Sequence, residues 1–264
     1  MKIDTHAHVF TPNLKLAKVR RYTPSYVATP EMFLAHLNQH GFDKGFLIQP
    51  SFLGTDNSYL LQAIQKFPNR FLGVAVIDPR MTCAEMKALK MQGIIGIRLN
   101  LYGIEPPDLE TIVWKTCLRH VRELGWHVEL HWDADKLLPL VHTLLAEGVK
   151  VVLDHFGRPK SVIDESFKAL LQLATSTDKL WIKVSGAYRL GQGSLGITLG
   201  QQLWPQLLFA LGTKRLLWGS DWPHTNFENT INYDRSCAFL EEIIPNKKLR
   251  EEILQVNLDD LLRI

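Results

Sequence analysis

Residues 2–10, KIDTHAHVF, run from an apolar, strand-like start into two histidines one residue apart. Side chains alternate faces along a strand, so His6 and His8 point the same way. Paired imidazoles can bind a metal, polarise a carbonyl or shuttle protons, whereas two histidines on a solvated surface strand do none of these. Recurrence of the pattern decides between the readings. Similar short apolar runs follow at GFLIQP (45–50), FLGVAVI (71–77), IIGIRLN (94–100), HVELH (127–131), VVLDH (151–155), LWIKVS (180–185) and LLWGSD (216–221). Most show little alternation, as expected for strands buried on both faces.

Helical patterns lie between the runs. Thr29, Pro30 and Glu31 supply a cap, a proline at the first position and an early acid, and Gly41 stops that helix. Another is expected from Asp108 to Gly125. Further helices follow at 134–148, 164–175 and 202–212, where Pro139 and Pro205 mark kinks or true starts. Residues 246–264 form a closing amphipathic helix. Eight strand–helix alternations predict an α/β fold, a (β/α)8 TIM-type barrel spanning residues 1–264 as one domain. A doubly wound open sheet is the alternative, but no Gly-rich nucleotide motif supports it.

Composition narrows the function. The 264 residues include 30 basic and 27 acidic side chains with no long single-sign block, which argues against nucleic-acid and membrane partners. Three cysteines without close spacing read as reduced, packed thiols, and no leader or spanning segment is evident, so a cytoplasmic protein is expected. Oligomeric state is not encoded legibly.

In barrels of this type the chemistry gathers where strands end. The runs end on His6 and His8, Gln49 and Ser51, Arg98 and Asn100, His131, His155, Ser185 and Asp221. Singly, each has an ordinary explanation as a cap or a bonded core residue. Together they assemble one polar rim.

The stretches DTHAH (4–8), DHFGRP (154–159) and LLWGSDWPH (216–224) resemble the amidohydrolase superfamily. RYTPSY (21–26), LIQPSFLGTDNSYLL (47–61), GVAVIDP (73–79) and GIRLNL (96–101) resemble its branch of 2-pyrone-4,6-dicarboxylate lactonase and related lactonases. That resemblance implies a hydrolase that opens a small anionic lactone. Asp221 would activate water, with His6, His8 and His155 around the carbonyl under attack. Arg98, Arg189, Ser51 and Tyr22 would bind substrate carboxylates, and His131 joins them on the rim. The fourth strand offers no lysine or glutamate at its end, which argues against a two-metal centre. His6, His8, His155 and Asp221 could hold one Zn2+, but that set leaves water no open position and lies near arginines. The expectation is therefore paired imidazoles that donate hydrogen bonds to the carbonyl, with no essential metal.

The physics of a lactone hydrolase agrees with these roles: a base, a water and positive groups facing the oxyanion. Alternatives remain at this level. Arg98 could be a structural ion pair with a carboxylate such as Asp78, and Lys183, in phase with Ser185, could form a Schiff base. A metal-dependent decarboxylase of a small aromatic or unsaturated acid, a zinc-dependent sugar lactonase or a non-catalytic acid-binding protein would use a similar pocket. An unpaired Asp221 argues against the binding protein, because it would repel acidic ligands.

Overall fold

The computed structural model describes residues 1–255 and 260–261. All eight apolar runs are strands: β1 (Ile3–Ala7), β2 (Lys44–Ile48), β3 (Phe71–Ala75), β4 (Ile94–Asn100), β5 (His127–His131), β6 (Lys150–Leu153), β7 (Leu180–Ser185) and β8 (Leu216–Gly219). Each pairs in parallel with the next in a single sheet. The chain then returns to its start. His8 N donates to Trp222 O at 2.7 Å, Asp221 N to His6 O at 2.8 Å, and Thr5 Oγ1 to Trp218 O at 2.8 Å. This closure satisfies the groups an open sheet would leave unpaired and makes the fold a (β/α)8 barrel, not a doubly wound sheet.

Parallel neighbours need crossovers, and helices supply them. They are α1 (Pro30–Gln39), α2 (Ser58–Lys66), α3 (Cys83–Met91), α4 (Ile112–Glu123), α5 (Ala134–Ala146), α6 (Glu165–Thr175), α7 (Ser194–Leu211), α8 (Tyr233–Ile243) and α9 (Lys247–Gln255). Thr29 caps α1 through Met32 N, as its sequence predicts. The expected start at Asp108 is wrong. The Asp108 carboxylate accepts from Glu110 N and makes a local turn, and Thr111 caps α4 instead through Trp114 N. Pro139 and Pro205 mark no helix start, since α5 and α7 run through them. Of the expected closing helix, α9 and helical Asp260 and Leu261 are seen, and 256–259 and 262–264 lie outside the described residues. No described helix is long and apolar enough to cross a membrane.

Ile3, Phe46, Ile48, Val74, Val152, Trp181 and Leu217 fill the lower barrel, with Leu261 packed against them. A register shift between Asp4 and Ala7 matters for what lies above. It lets His6 face inward although it is an odd number of residues from inward-facing Ile3. Asp4 faces outward instead, accepting from Ser220 N at 2.9 Å and Tyr233 Oη at 3.0 Å.

The β8–β1 seam is tight at Gly219, where an added Cβ would lie 2.4 Å from His6 Cβ and 2.7 Å from His6 N. Gly219→Ala should therefore cost about 1–3 kcal/mol, as overpacking typically does. Thermal melts should show a midpoint lower by roughly 2–10 °C, accompanied by loss of activity as His6 moves. An unshifted melt would mean the seam yields freely.

Candidate active site

Asp221, two residues past β8, has two unlike oxygens. Oδ2 accepts from Arg189 Nε, and from Tyr188 Oη at 2.5 Å. Oδ1 is buried and has no hydrogen-bond partner among the described residues. Around Oδ1 stand His6 Nε2 at 3.7 Å, His8 Nε2 at 3.9 Å and His155 Nε2 at 4.0 Å. The spacing is too long for direct hydrogen bonds and suits an atom held between them. His155 and Asp221 both have left-handed backbones, φ 50° and 62°, a strained conformation for non-glycine residues.

The far side of each ring sets what its Nε2 offers. His8 Nδ1 lies 2.7 Å from Ile48 O. A carbonyl only accepts, so Nδ1 carries the proton and neutral His8 presents a lone pair at Nε2. Burial, then the Arg98 charge, pushes His8 down to about 3, so it is neutral near pH 7. His8 therefore cannot donate a hydrogen bond to a carbonyl, and the role expected from its sequence is reversed. His6 Nδ1 is 3.1 Å from Lys183 Nζ, a donor. Accepting there leaves the His6 proton on Nε2. Asp154 Oδ1 at 3.2 Å and Glu129 Oε1 at 3.4 Å flank the same Nδ1. His155 Nδ1 meets Ser185 Oγ at 3.0 Å, and burial pushes His155 down to about 4.

A charged layer lies beneath. Lys183 Nζ donates to Glu129 Oε2 at 2.5 Å and Thr5 O at 3.0 Å. Arg98 Nη2 donates to Asp154 Oδ2 at 3.1 Å, and its Nε is 3.7 Å from Glu129 Oε1. Arg98 is thus ion-paired, but to Asp154 and not to Asp78, which Arg80 binds instead. Asp78 lies past β3 on the half-exposed loop to α3, outside the barrel. Lys183 is spent on this network and does not line the cavity, which removes the support for a Schiff base.

Above the rosette a cavity of about 420 Å³ opens at the C-terminal ends of the strands. Arg21, Arg98, Arg158 and Arg189 line it with Ser51, Tyr22, His131, His8, His155 and Asp221. Of the rim residues singled out from sequence, His8, Ser51, Arg98, Asn100, His131, His155 and Asp221 reach the cavity. His6 closes the rosette below, Gln49 Nε2 is bonded to Gly54 O and Asp56 O, and Ser185 backs His155. Tyr22 Oη donates to Glu228 Oε1 at 2.8 Å, and His131 Nδ1 contacts Asn100 Oδ1 at 3.2 Å while its ring stacks on Tyr102. Asp221 is not unpaired: burial pushes its carboxyl up, but Arg189, then His155 and His6, outweigh that and hold it well below the usual carboxylate range.

Sequence reading missed Glu129, Asp154, Tyr188, His224, Arg21 and Arg158. Glu129 alternates in phase with His127 and His131, and Asp154 and Arg158 sit inside DHFGRP, so signals were present. His224 contacts Tyr188 Oη at 3.1 Å and, like Arg158 and Asn226 at φ 51° and 69°, has a left-handed backbone, φ 64°.

With this geometry in hand, similarity to known proteins becomes informative. The Amidohydrolase family profile matches residues 3–263, and the chain belongs to that family. It is 32% identical to the 4-sulfomuconolactone hydrolase of Rhizobium radiobacter, over 96% of this chain and 87% of the other. It is 29% identical to the 2-pyrone-4,6-dicarboxylate hydrolase of Comamonas testosteroni, over 97% and 88%. A crystal structure of a "probable 2-pyrone-4,6-dicarboxylic acid hydrolase" from Acinetobacter baumannii with citric acid bound superposes with TM-score 0.95 at 41% identity, covering 100% of this chain and 99% of that one.

The buried histidines make stability depend on pH. Burial lowers His8 to about 3, and His155 and His224 to about 4, against about 6.5 when unfolded. Depressed folded values mean stability that is full above 6.5 and lost as pH falls toward 4 and 3, by about 1.4 kcal/mol per pH unit per histidine. Asp4, which burial raises to about 6, opposes this between 3.8 and 6, but as one group against three. Urea midpoints should hold above pH 7 and fall steadily from 6.5 to 4.5; a flat profile would contradict neutral buried imidazoles.

Proposed function

We propose that the protein is a hydrolase that opens a small carboxylated lactone, of the 2-pyrone-4,6-dicarboxylate kind, by water attack on the ring ester carbonyl. We read residues 1–264 as one catalytic domain of a cytoplasmic enzyme whose partner is this small anion. The unpartnered Asp221 Oδ1, central to three imidazoles under an arginine-lined cavity, carries the reading.

A water in that position accepts from His6 Nε2 and donates to His8 Nε2 and Asp221 Oδ1. One lone pair is left to attack the carbonyl carbon. Asp221 takes the water proton as the C–O bond forms and the carbonyl electrons move to oxygen, where guanidiniums offset the charge. Collapse breaks the ring C–O bond, and the leaving oxygen collects the proton. Arginine forks match the substrate's carboxylates. In the free enzyme Arg189 keeps Asp221 a weak base. A substrate carboxylate that draws Arg189 away restores basicity, so acidic substrates gain in kcat as well as in KM.

His6, His8, His155 and Asp221 are also the atoms from which a single zinc site would be built, and a bound Zn2+ would polarise the carbonyl. A metal-bound imidazole normally donates its other N–H to an acceptor. The Lys183 amine at 3.1 Å from His6 Nδ1 disfavours that role, and the Asp154 carboxylate at 3.2 Å from the same nitrogen would suit it. Arg98 and Arg189 in the cavity wall also disfavour a dication. Ser51, Tyr22 and His131 complete the proposed substrate wall.

Assayed against a lactone panel, the enzyme should turn over carboxylated lactones with higher kcat than neutral analogues. Asp221→Asn should lose roughly 10²–10⁴-fold in kcat while keeping its fold by circular dichroism. Retention of a tenth of the wild-type rate would remove Asp221 from the base role.

Stripping with a strong chelator, checked by elemental analysis, should leave full activity. Loss restored by stoichiometric Zn2+ would make the histidines metal ligands.

A further inference from the structure

A second group of ligating side chains sits on the outer helical layer, away from the cavity. Cys83 is the first residue of α3, and His120 and Glu123 lie near the end of α4. Residues three apart share a helix face, so His120 and Glu123 present together. Their ligand atoms and Cys83 Sγ all lie within 4.8 Å of one another, with His120 Nδ1 and Glu123 Oε2 3.7 Å apart. His120 Nδ1 is buried and has no hydrogen-bond partner among the described residues. Such an orphaned ring nitrogen is costly without something to bind.

Cys117 is fully buried, whereas Cys83 is half-buried and so within reach of a solvent cation.

We propose that Cys83, His120 and Glu123 form a binding site for a borderline-soft divalent cation of the Zn2+ class, which ties α3 to α4. Thiolate, imidazole and carboxylate are the ligand types zinc prefers, and a water completes the tetrahedron. Ligand atoms around a tetrahedral Zn2+ stand about 3.3–3.6 Å apart. The His120–Glu123 pair at 3.7 Å is thus nearly in place, and the widest separations, up to 4.8 Å, close by about 1 Å, a movement that exposed Glu123 allows. Binding releases the thiol proton to solvent. The position suits a staple. The later helices pack side by side, α5 on α6, α6 on α7 and α7 on α8, whereas α3 and α4 make little contact, bridged by Lys90 Nζ to Leu124 O at 2.9 Å. The site requires nothing of the rosette, which contains no sulfur.

That difference supplies the test. Co2+ titrated into the reduced, metal-free enzyme should give a near-ultraviolet thiolate-to-cobalt charge-transfer band that saturates at one equivalent. Cys83→Ser should abolish the band, and His120→Gln should weaken it at least tenfold in Co2+ affinity; both variants should hydrolyse lactones at the wild-type rate. Zn2+ at about a hundredfold over its Kd should raise the melting midpoint of the wild type by roughly 5 °C more than that of Cys83→Ser. No band in the wild type, or a band that survives Cys83→Ser, would overturn the site.

Discussion

The ion pair between Arg189 and Asp221 sets the geometry at the top of this barrel. It occupies one carboxylate oxygen together with Tyr188 and leaves the other buried, unbonded and central to three imidazoles. A carboxylate held this way cannot rotate, so its free oxygen has a fixed aim. The pairing also restrains its basicity until something competes for the guanidinium. Under the proposed mechanism, binding of an acid and activation of a base are one event.

Below that pair, charges sit where solvent cannot reach them. Lys183, Glu129, Asp154 and Arg98 are each nearly fully buried, and each bonds at least one of the others. Desolvating such groups costs about as much as their mutual attraction returns, so net stability is a poor reason for them to be there. Their geometric effect is clearer: Lys183 fixes which His6 nitrogen carries the proton, and Asp154 fixes the direction of Arg98. Removing one member strands its partner's charge, typically at 3–5 kcal/mol. Substitution of Arg98 therefore strands the buried Asp154 carboxylate.

The barrel itself explains why these groups converge. Parallel strands present their C-terminal ends to one face, and inward positions two residues apart stack in layers along the interior. The lower layers are aliphatic and aromatic, and the upper ones polar. A register shift in β1 adjusts that layering so that apolar Ile3 and polar His6 both face inward.

Much of this was legible in the sequence. Short apolar runs without alternation suit strands of a covered parallel sheet, and eight of them with polar ends favour a barrel over a doubly wound sheet, which closure then decides. Those ends named His6, His8, His155, Asp221 and Arg98 because chemistry at a strand end is displayed by local periodicity alone. Partners were not legible. Nothing in the sequence placed Asp154, rather than Asp78, beside Arg98, since the two carboxylates lie just past the ends of different strands and only the folded barrel brings one of them inward. Asp221 reads as free until Arg189, from the preceding strand's loop, is seen on it. The donor or acceptor character of each imidazole was decided solely by tertiary structure. It depends on what stands behind the ring, Ile48 O for His8 and Lys183 for His6, groups 40 and 177 residues away. Periodicity specifies which way a side chain points, and only the packed fold specifies what it meets.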